Sequence, residues 1–457
     1  MDFSLLKKQT LIDFFTKGNQ RSINAKKNIT ASFFIKGANI LISLSIIPLT
    51  INYIDPYRYG IWMTLSSLIA WFGFFDIGLG NGLRNRFAEA LAKGEHDKAK
   101  VYVSTTYAIL SILIAAVVAV FLVVNKFLNW NAILNADVSV VSNNELSILA
   151  TIVFTFFCIN FVLVLITTIL TADQKPALAS LFDMVGRLLS LIVIFILTKT
   201  TKGSLLYLGV VYSSMPVIVL CASSIFFFNR KYKQYRPSIK SVDFNQAPQL
   251  LNIGVKFFII QITVIIFYQT NAIIIAQMFR PGEVTVYTVT YQYFNVFTSV
   301  FSIILSPYWS AFTDSYIKKD FEWIRKSISK LKKLALLMIL LLGIALLANK
   351  FFFSIWIGDK VKVNFGLSLA ILIFMGLSMF NNVNCHFING VGKIKIQLCV
   401  ALLFSLIHIP LALFFCSKFG ISGIMYSPIL NALTTLGIYE IQYRKIIDSK
   451  AFGIWNK

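Results

Sequence analysis

This sequence holds few of the groups that do chemistry in a soluble enzyme. Charged residues make up only 13% of its 457 residues, histidine occurs three times and cysteine five times. The cysteines, Cys158, Cys221, Cys385, Cys399 and Cys416, all sit in long apolar stretches, and none forms a paired-cysteine spacing. They read as packing residues, and no metal site is expected. No phosphate-binding loop, zinc motif or nucleophilic triad is visible. The one glycine cluster, Gly78-Leu-Gly-Asn-Gly82, follows no strand and belongs to no βαβ unit, so it is not a nucleotide fingerprint. That argues against ATP as a direct energy source, and no cofactor is expected.

Acidic residues are scarce as well, 19 Asp and Glu against 42 Lys and Arg, a formal net charge of +23. In a soluble chain this would raise the question of nucleic acid. Here 57% of the residues are hydrophobic, and twelve apolar stretches, each about long enough to cross a bilayer, fill the sequence from Ile29 to Ile441. Backbone groups in lipid must bond within their own helix or barrel, so the pattern predicts an all-α polytopic membrane protein with 12 transmembrane helices. Most Lys and Arg residues fall in alternate connecting segments, and the positive-inside rule then places both termini in the cytoplasm. Nucleic acid is not an expected partner; membrane lipid is.

Residues 1–28 form a basic tail with no cleavable leader pattern. Spans one to six occupy 29–228, a basic polar link 229–252, spans seven to twelve 253–441 and a second tail 442–457. Outer loops are short, which leaves no external domain to do chemistry. The two halves echo one another. Phe87-Ala-Glu89 with Lys93 follows span two (Gly60–Gly80), and Phe312-Thr-Asp314 with Lys318 follows span eight (Thr288–Phe312). Gly209, Tyr212 and Ser213 in span six recur as Gly423, Tyr426 and Ser427 in span twelve. An even number of spans per copy keeps both copies in one orientation, so two six-helix lobes related by a parallel pseudo-two-fold axis are expected. In such transporters the site lies between the halves and access alternates.

The run from Phe75 to Glu95, FDIGLGNGLRNRFAEALAKGE, together with Pro56-Tyr-Arg-Tyr-Gly-Ile-Trp62 and Pro307-Tyr-Trp-Ser-Ala-Phe-Thr-Asp314, resembles O-antigen and polysaccharide flippases. These form the polysaccharide-transporter branch of the multidrug/oligosaccharidyl-lipid/polysaccharide exporter superfamily. The resemblance implies two lobes around a central cavity and transfer of a polyprenyl-diphosphate-linked oligosaccharide from the cytoplasmic to the outer leaflet of the bacterial inner membrane. It also implies a glycan polymerase in the same pathway. Both lobes lie in one polypeptide, so a functional monomer is expected.

Ionisable groups inside lipid are costly and mark cavities or partners. Arg187 lies near the middle of span five with Asp183 one turn earlier on the same face. The pair reads either as a structural lock or as a head-group site, in which the guanidinium fork holds two diphosphate oxygens. Lys36 in span one and Lys256 at the start of span seven offer one ammonium from each half, or else snorkel to the interface. Asp76 and Arg84 fall near the cytoplasmic mouth. Arg84 meets an incoming diphosphate or is simply solvated. Asn381, Asn382, Tyr291 and Asn295 are candidate sugar contacts, against helix-bonding amides and an interfacial tyrosine belt as the plain accounts. His386 and His408, with Asp76, are candidates for coupling to H+ or Na+, although hydrogen-bonded structural histidines serve equally. Two rivals stand beside the flippase: an ion-coupled drug or cation antiporter on the same scaffold, and a membrane-embedded glycan polymerase or ligase, which would be expected to carry a sizeable outer loop.

Overall fold

The computed structural model describes residues 20–456 apart from 77, 249–265 and 267–268, and within these not the side chains of 20–29, 74–76, 310 and 359. Every regular element among the described residues is helical. Seven segments are long and apolar enough to cross a membrane, or eight if a bent pair counts as one span. The long helices follow the predicted stretches: α1 Gln20–Ile54, α4 His96–Val124, α6 Asn143–Leu163 continued by α7 Leu165–Ala172, α8 Pro176–Thr200, α9 Leu205–Asn229, α14 Phe365–Val391, α15 Lys395–Phe419 and α16 Tyr426–Ile447. Short helix α5, Trp130–Leu134, lies in the connection after α4.

Beyond a short interruption at Val164 in span four and a 3-10 start to span twelve (Gly420–Met425), three expected spans differ from continuous helices. Span two divides into α2 (Pro56–Ala70), a 3-10 turn (Trp71–Asp76) and α3 (Leu79–Lys93), because Gly78 takes a left-handed φ of 75° at the break. α3 buries Leu79, Leu83, Phe87 and Ala90 at helical spacing and turns its charged residues outward, the pattern of a helix lying on a surface. Span eight becomes α10 (Pro281–Leu305) and α11 (Tyr308–Ile317), started by Pro281 at the first helical position and broken at Pro307. Span nine becomes α12 (Phe321–Leu347) and α13 (Asn349–Trp356), bent by 69°. Most of span seven, Lys256 included, lies outside the described residues; 269–278 are helical.

The sequence echoes have matching local settings. Phe87 is fully buried beside Tyr235 and Phe312 beside Phe387, while Glu89 pairs with Lys93 and Asp314 with Lys318 one turn on. The link after α9 is packed, not loose. Asp173 accepts from Lys231 at 2.5 Å and from the Tyr232 hydroxyl at 2.6 Å, His96 Nδ1 lies 2.6 Å from the Tyr235 hydroxyl, and the Asp243 amide donates to Thr105. The link is therefore strapped to the first half as far as Asp243.

Besides a bond from Trp356 Nε1 to the Leu44 carbonyl at 2.7 Å, the halves meet at the end that carries the connections at 54–59, 125–142 and 276–281. Asn135, in left-handed conformation after α5, donates to the carbonyls of Ala276 (2.9 Å) and Phe279 (3.2 Å). Gln277 donates back to Ala132 (3.0 Å) and Ile133 (2.5 Å), and the buried Thr285 hydroxyl donates to the Pro56 carbonyl. α2 and α10 pack so closely here that a Cβ on Gly60 would fall on the Pro281 carbonyl. We call this contact the clasp. Gly60→Ala is expected to open it and to speed amide hydrogen exchange at 130–136 and 276–282 by about tenfold, equivalent to about 1.4 kcal/mol, with 143–163 unchanged. Unaltered exchange at the clasp would show that the close approach does not hold the halves together.

Candidate functional site

A cavity of about 460 Å³ lies between the halves, away from the clasp, walled by α1, α8, α10 and Asn382 of α14. Each helix turns one polar face to it. On α1 the wall residues are Lys36, Asn39, Ile40, Ser43 and Leu44, a spacing of three and four. On α10 the corresponding set includes Gln292, Asn295, Ser299 and Ser302, and on α8 it is Asp183 and Arg187. These polar positions recur at helical spacing inside otherwise apolar spans. That signal would have found Asn39, Ser43, Ser299 and Ser302, which an inspection for ionisable groups passes over.

The Asp183–Arg187 pair shows one use of its donors. Arg187 Nε lies 3.0 and 3.2 Å from the two Asp183 oxygens, and both side chains stay about half exposed while lining the cavity. The carboxylate therefore holds the inner edge of the guanidinium and steers it. The two terminal nitrogens, whose paired N–H groups match a phosphate oxygen pair, make no hydrogen bond to a protein group among the described residues. Lys36 is exposed on the same wall. Among the described residues that line this cavity, one carboxylate faces two cationic side chains.

Adjoining cavities share its walls. One of about 440 Å³ lies in the first half and shares Asp183; its walls combine the aromatic Trp62, Phe156, Phe157, Phe182 and Tyr212 with the polar Ser66, Asn160, Thr167 and Ser213. Two in the second half, of about 380 and 220 Å³, share Tyr291, Phe374, Ser378 and Asn381; the larger also shares Asn295, Thr298 and Asn382 with the cationic cavity. Thus Arg187, Asp183, Lys36, Asn295 and Asn382 come together on one surface, and Tyr291 and Asn381 stand on the next. Tyr291 lines two of these cavities.

The remaining candidates separate. Arg84 is exposed on α3 and is not among the lining residues; the side chain of Asp76 and all of Lys256 lie outside the described residues. His386 Nδ1 bonds the Asn382 carbonyl at 2.8 Å, one step behind the cavity. His408 is fully buried, bonded to Ser427 at 2.9 Å and Asn271 at 3.1 Å. Of the amides around His386, Asn384 donates to Glu440, which also takes Lys332 and Arg444, and Asn389 reaches Cys385. Those two tie protein groups together. The Glu440 knot is not legible in the sequence, because Lys332 and Asn384 reach it from two helices distant in the chain, with Arg444 one turn on along its own helix.

A family model described as polysaccharide biosynthesis protein matches residues 25–312. A protein of Salmonella typhi named for O-antigen transport is 22% identical over 383 residues, 83% of this chain and 86% of its own length. Among solved structures, the lipid II flippase MurJ in an inward closed conformation superposes with a TM-score of 0.71 at 11% identity, covering 92% of this chain and 90% of that one. An inward-facing multidrug resistance MATE family transporter of the MOP superfamily gives 0.70 at 14%, covering 93% and 100%. The chain thus has the fold of these transporters.

An exposed i,i+4 ion pair contributes little to stability. Asp183→Asn is expected to change unfolding free energy by less than about 1 kcal/mol, read by denaturant or thermal unfolding of the purified protein. A larger loss would make the pair a structural lock instead of a cavity device.

Proposed function

The chain belongs to the polysaccharide biosynthesis protein family, and from that membership we propose that it is a flippase for polyprenyl-diphosphate-linked oligosaccharide, of O-antigen or a similar surface-glycan repeat. The observation that carries the reading is the cationic cavity, in which Lys36 and the outer fork of Arg187 face the same space with the one carboxylate already engaged. A diphosphate needs this arrangement: two anionic centres, several acceptor oxygens and donors fixed in a fork. The hydrocarbon tail stays in lipid while the head group occupies the cavity.

In this reading the chain is a bundle of 12 spans in two six-helix lobes, 29–228 and 253–441, with both termini cytoplasmic in a bacterial inner membrane. The clasp is then the outer closure and the cavity faces the cytoplasm. Parting of the clasp and closure of the opposite end deliver the head group to the outer leaflet. Return of the empty carrier is coupled to H+ or Na+, with His386 the better placed of the two span histidines because its ring bonds the backbone of a cavity residue. A polymerase downstream takes the product, and the single chain works as a monomer.

A second reading has its own observation. The aromatic first-half cavity ending at Asp183 suits an organic cation, which stacks on rings and needs a carboxylate. The two readings part on which charge matters.

In sealed vesicles with a polyprenyl-diphosphate oligosaccharide loaded on the cytoplasmic leaflet, outer-leaflet exposure is expected for the wild type. It should fall at least about tenfold in Arg187→Ala, the loss of a charge-assisted bond of roughly 1.5–3 kcal/mol, and be partly kept in Arg187→Lys. Without an applied potential, Asp183→Asn should retain transport. Loss in Asp183→Asn with none in Arg187→Ala would turn the assignment to the antiporter. An inside-negative potential is expected to speed the wild type, since roughly 2.3 kcal/mol per charge per 100 mV favours an anion moving outward.

A further inference from the structure

The link that follows α9 lies deeper than a loop joining two spans needs to. A hydrocarbon core takes about 20 helical residues to cross. Counted back from Asn125, where α4 ends, that length brings the near edge of the core to about Thr105; counted forward from Leu205, where α9 starts, it reaches about Ile225. The chain leaves α9 about one turn past that level, where the Arg230 guanidinium lies 4.8 Å from the centre of the exposed Phe226 ring. It then turns back. The Ser238 amide donates to Ser104 Oγ at 3.2 Å, the Asp243 amide donates to Thr105 Oγ1 at 3.0 Å, and Ser104 and Thr105 are buried beneath the link. On α4 the first large apolar side chain left exposed is Ile112, two turns further on. Residues 238–243 therefore sit at the boundary between hydrocarbon and head groups.

The two sides of this segment have opposite chemistry. Tyr232 and Tyr235 are buried against the first half, with the Tyr235 ring on Phe87. On the other side Ile239 is 93% exposed and Phe244 57%. A single exposed apolar side chain is common on a water-facing surface, but these two lie at the level where lipid tails begin. Cations are interleaved with them. Lys231 is committed to Asp173, whereas Lys233, Arg236 and Lys240 are exposed and make no ion pair among the described residues; Arg236 reaches only Asn229 Oδ1, at 3.4 Å. Asp243 does not offset them from across the segment, since its carboxylate accepts from the Asn245 amide and from Gln246. Apolar tips beside uncommitted cations are what a segment lying in the plane of the interface requires.

We infer that residues 233–244 form an interfacial anchor that seats the first half on anionic phospholipid of the adjoining leaflet. Ile239 and Phe244 enter the edge of the acyl layer, while Lys233, Arg236 and Lys240 meet the phosphates of lipid head groups. The bilayer is the occupant because the bonds to Ser104 and Thr105 hold the segment against a spanning helix at the depth where lipid is already the neighbour. The inference goes beyond the proposed transport and rests on that reading only for naming the leaflet as the cytoplasmic one. Because the same segment is strapped to Asp173 and α4, the lipid it gathers is held by the first half.

The test is photo-crosslinking of the full chain in nanodiscs of equal phosphatidylglycerol and phosphatidylethanolamine, with a benzophenone side chain in place of Ile239 or Phe244 and adducts identified by mass. The same group at Phe226 serves as the lipid-facing reference and at Asp97 as the water-facing one. Phospholipid adducts are expected at Ile239 and Phe244 as at Phe226, and not at Asp97. At Ile239 the phosphatidylglycerol adduct should exceed the other by about fivefold, the effect of one basic residue near an anionic surface. Lys233→Gln, Arg236→Gln and Lys240→Gln together should bring that ratio close to one and leave the Phe226 adduct, a report on folding, unchanged. Should that variant fold poorly, salt at about 1 M, which cuts the screening length to about 3 Å, should level the ratio without it. Adducts of Ile239 and Phe244 with the chain itself, or none where Phe226 reacts, would overturn the anchor. Equal yields of the two lipids at Ile239 in low salt would overturn the choice of anionic lipid. None of these outcomes depends on which solute the carrier moves, so the flippase reading stands or falls separately.

Discussion

A charge inside a bilayer must be paired or must face water, and most of the architecture follows from where this chain keeps its few. Lys36, Asp183 and Arg187 lie well inside apolar helices, yet all three are exposed and all three line one cavity. Facing lipid would leave each uncompensated. Facing one another across a hydrated space, they fix which side of α1 and α8 turns inward, and with it the faces left to pack on neighbours or meet hydrocarbon. The pairing of Asp183 with the Nε edge of Arg187 adds a second constraint, because it orients the guanidinium without consuming its outer donors.

The cavity can exist only if the halves are held together somewhere else. The clasp does this with backbone proximity at Gly60 and Pro281 and with side-chain amides that bond carbonyls across the divide. Such bonds are individually modest, about 0.5–1.5 kcal/mol each, so a clasp built from a handful of them is firm enough to close and weak enough to release. The link from Arg230 to Asp243 shows the opposite choice. Its tyrosines Tyr232 and Tyr235 are buried and Asp173 ties it down, so this part of the link belongs to the first half.

Much of this was legible in the sequence, and what was missed has physical causes. Hydropathy located the long helices because lipid enforces an apolar period-independent run. It placed spans two, eight and nine too simply, since hydropathy does not register a left-handed Gly78, a break at Pro307 or a 69° bend after Leu347. Ionisable residues were easy to single out, and Lys36, Asp183 and Arg187 do meet in one cavity. Asn39 and Ser43 are harder to read, because a lone amide or hydroxyl in an apolar helix is common and becomes informative only through its spacing. Arg84 drew notice as a charge, yet it sits on a surface helix outside the cavity walls. In the Glu440 knot Arg444 is a local i,i+4 partner, but Lys332 and Asn384 reach it from two other helices, which no local window can register.

The charges also bear on energetics under the proposed reading. Among the described groups the empty cavity carries one uncompensated cation, Lys36, because Asp183 offsets Arg187. Adding a diphosphate of about two negative charges reverses that sign. An inside-negative membrane potential acts on a net charge at roughly 2.3 kcal/mol per 100 mV, so it draws the loaded, net-negative cavity outward and the empty, net-positive one inward. Among the described groups, a single cation left over by one internal ion pair thus lets the same field favour both halves of the cycle. Two free cations would cancel the loaded charge and remove the outward drive, while none would remove the return. The arrangement in which Asp183 occupies only one edge of Arg187 meets both requirements: it subtracts a charge from the cavity and keeps the donors that bind the head group.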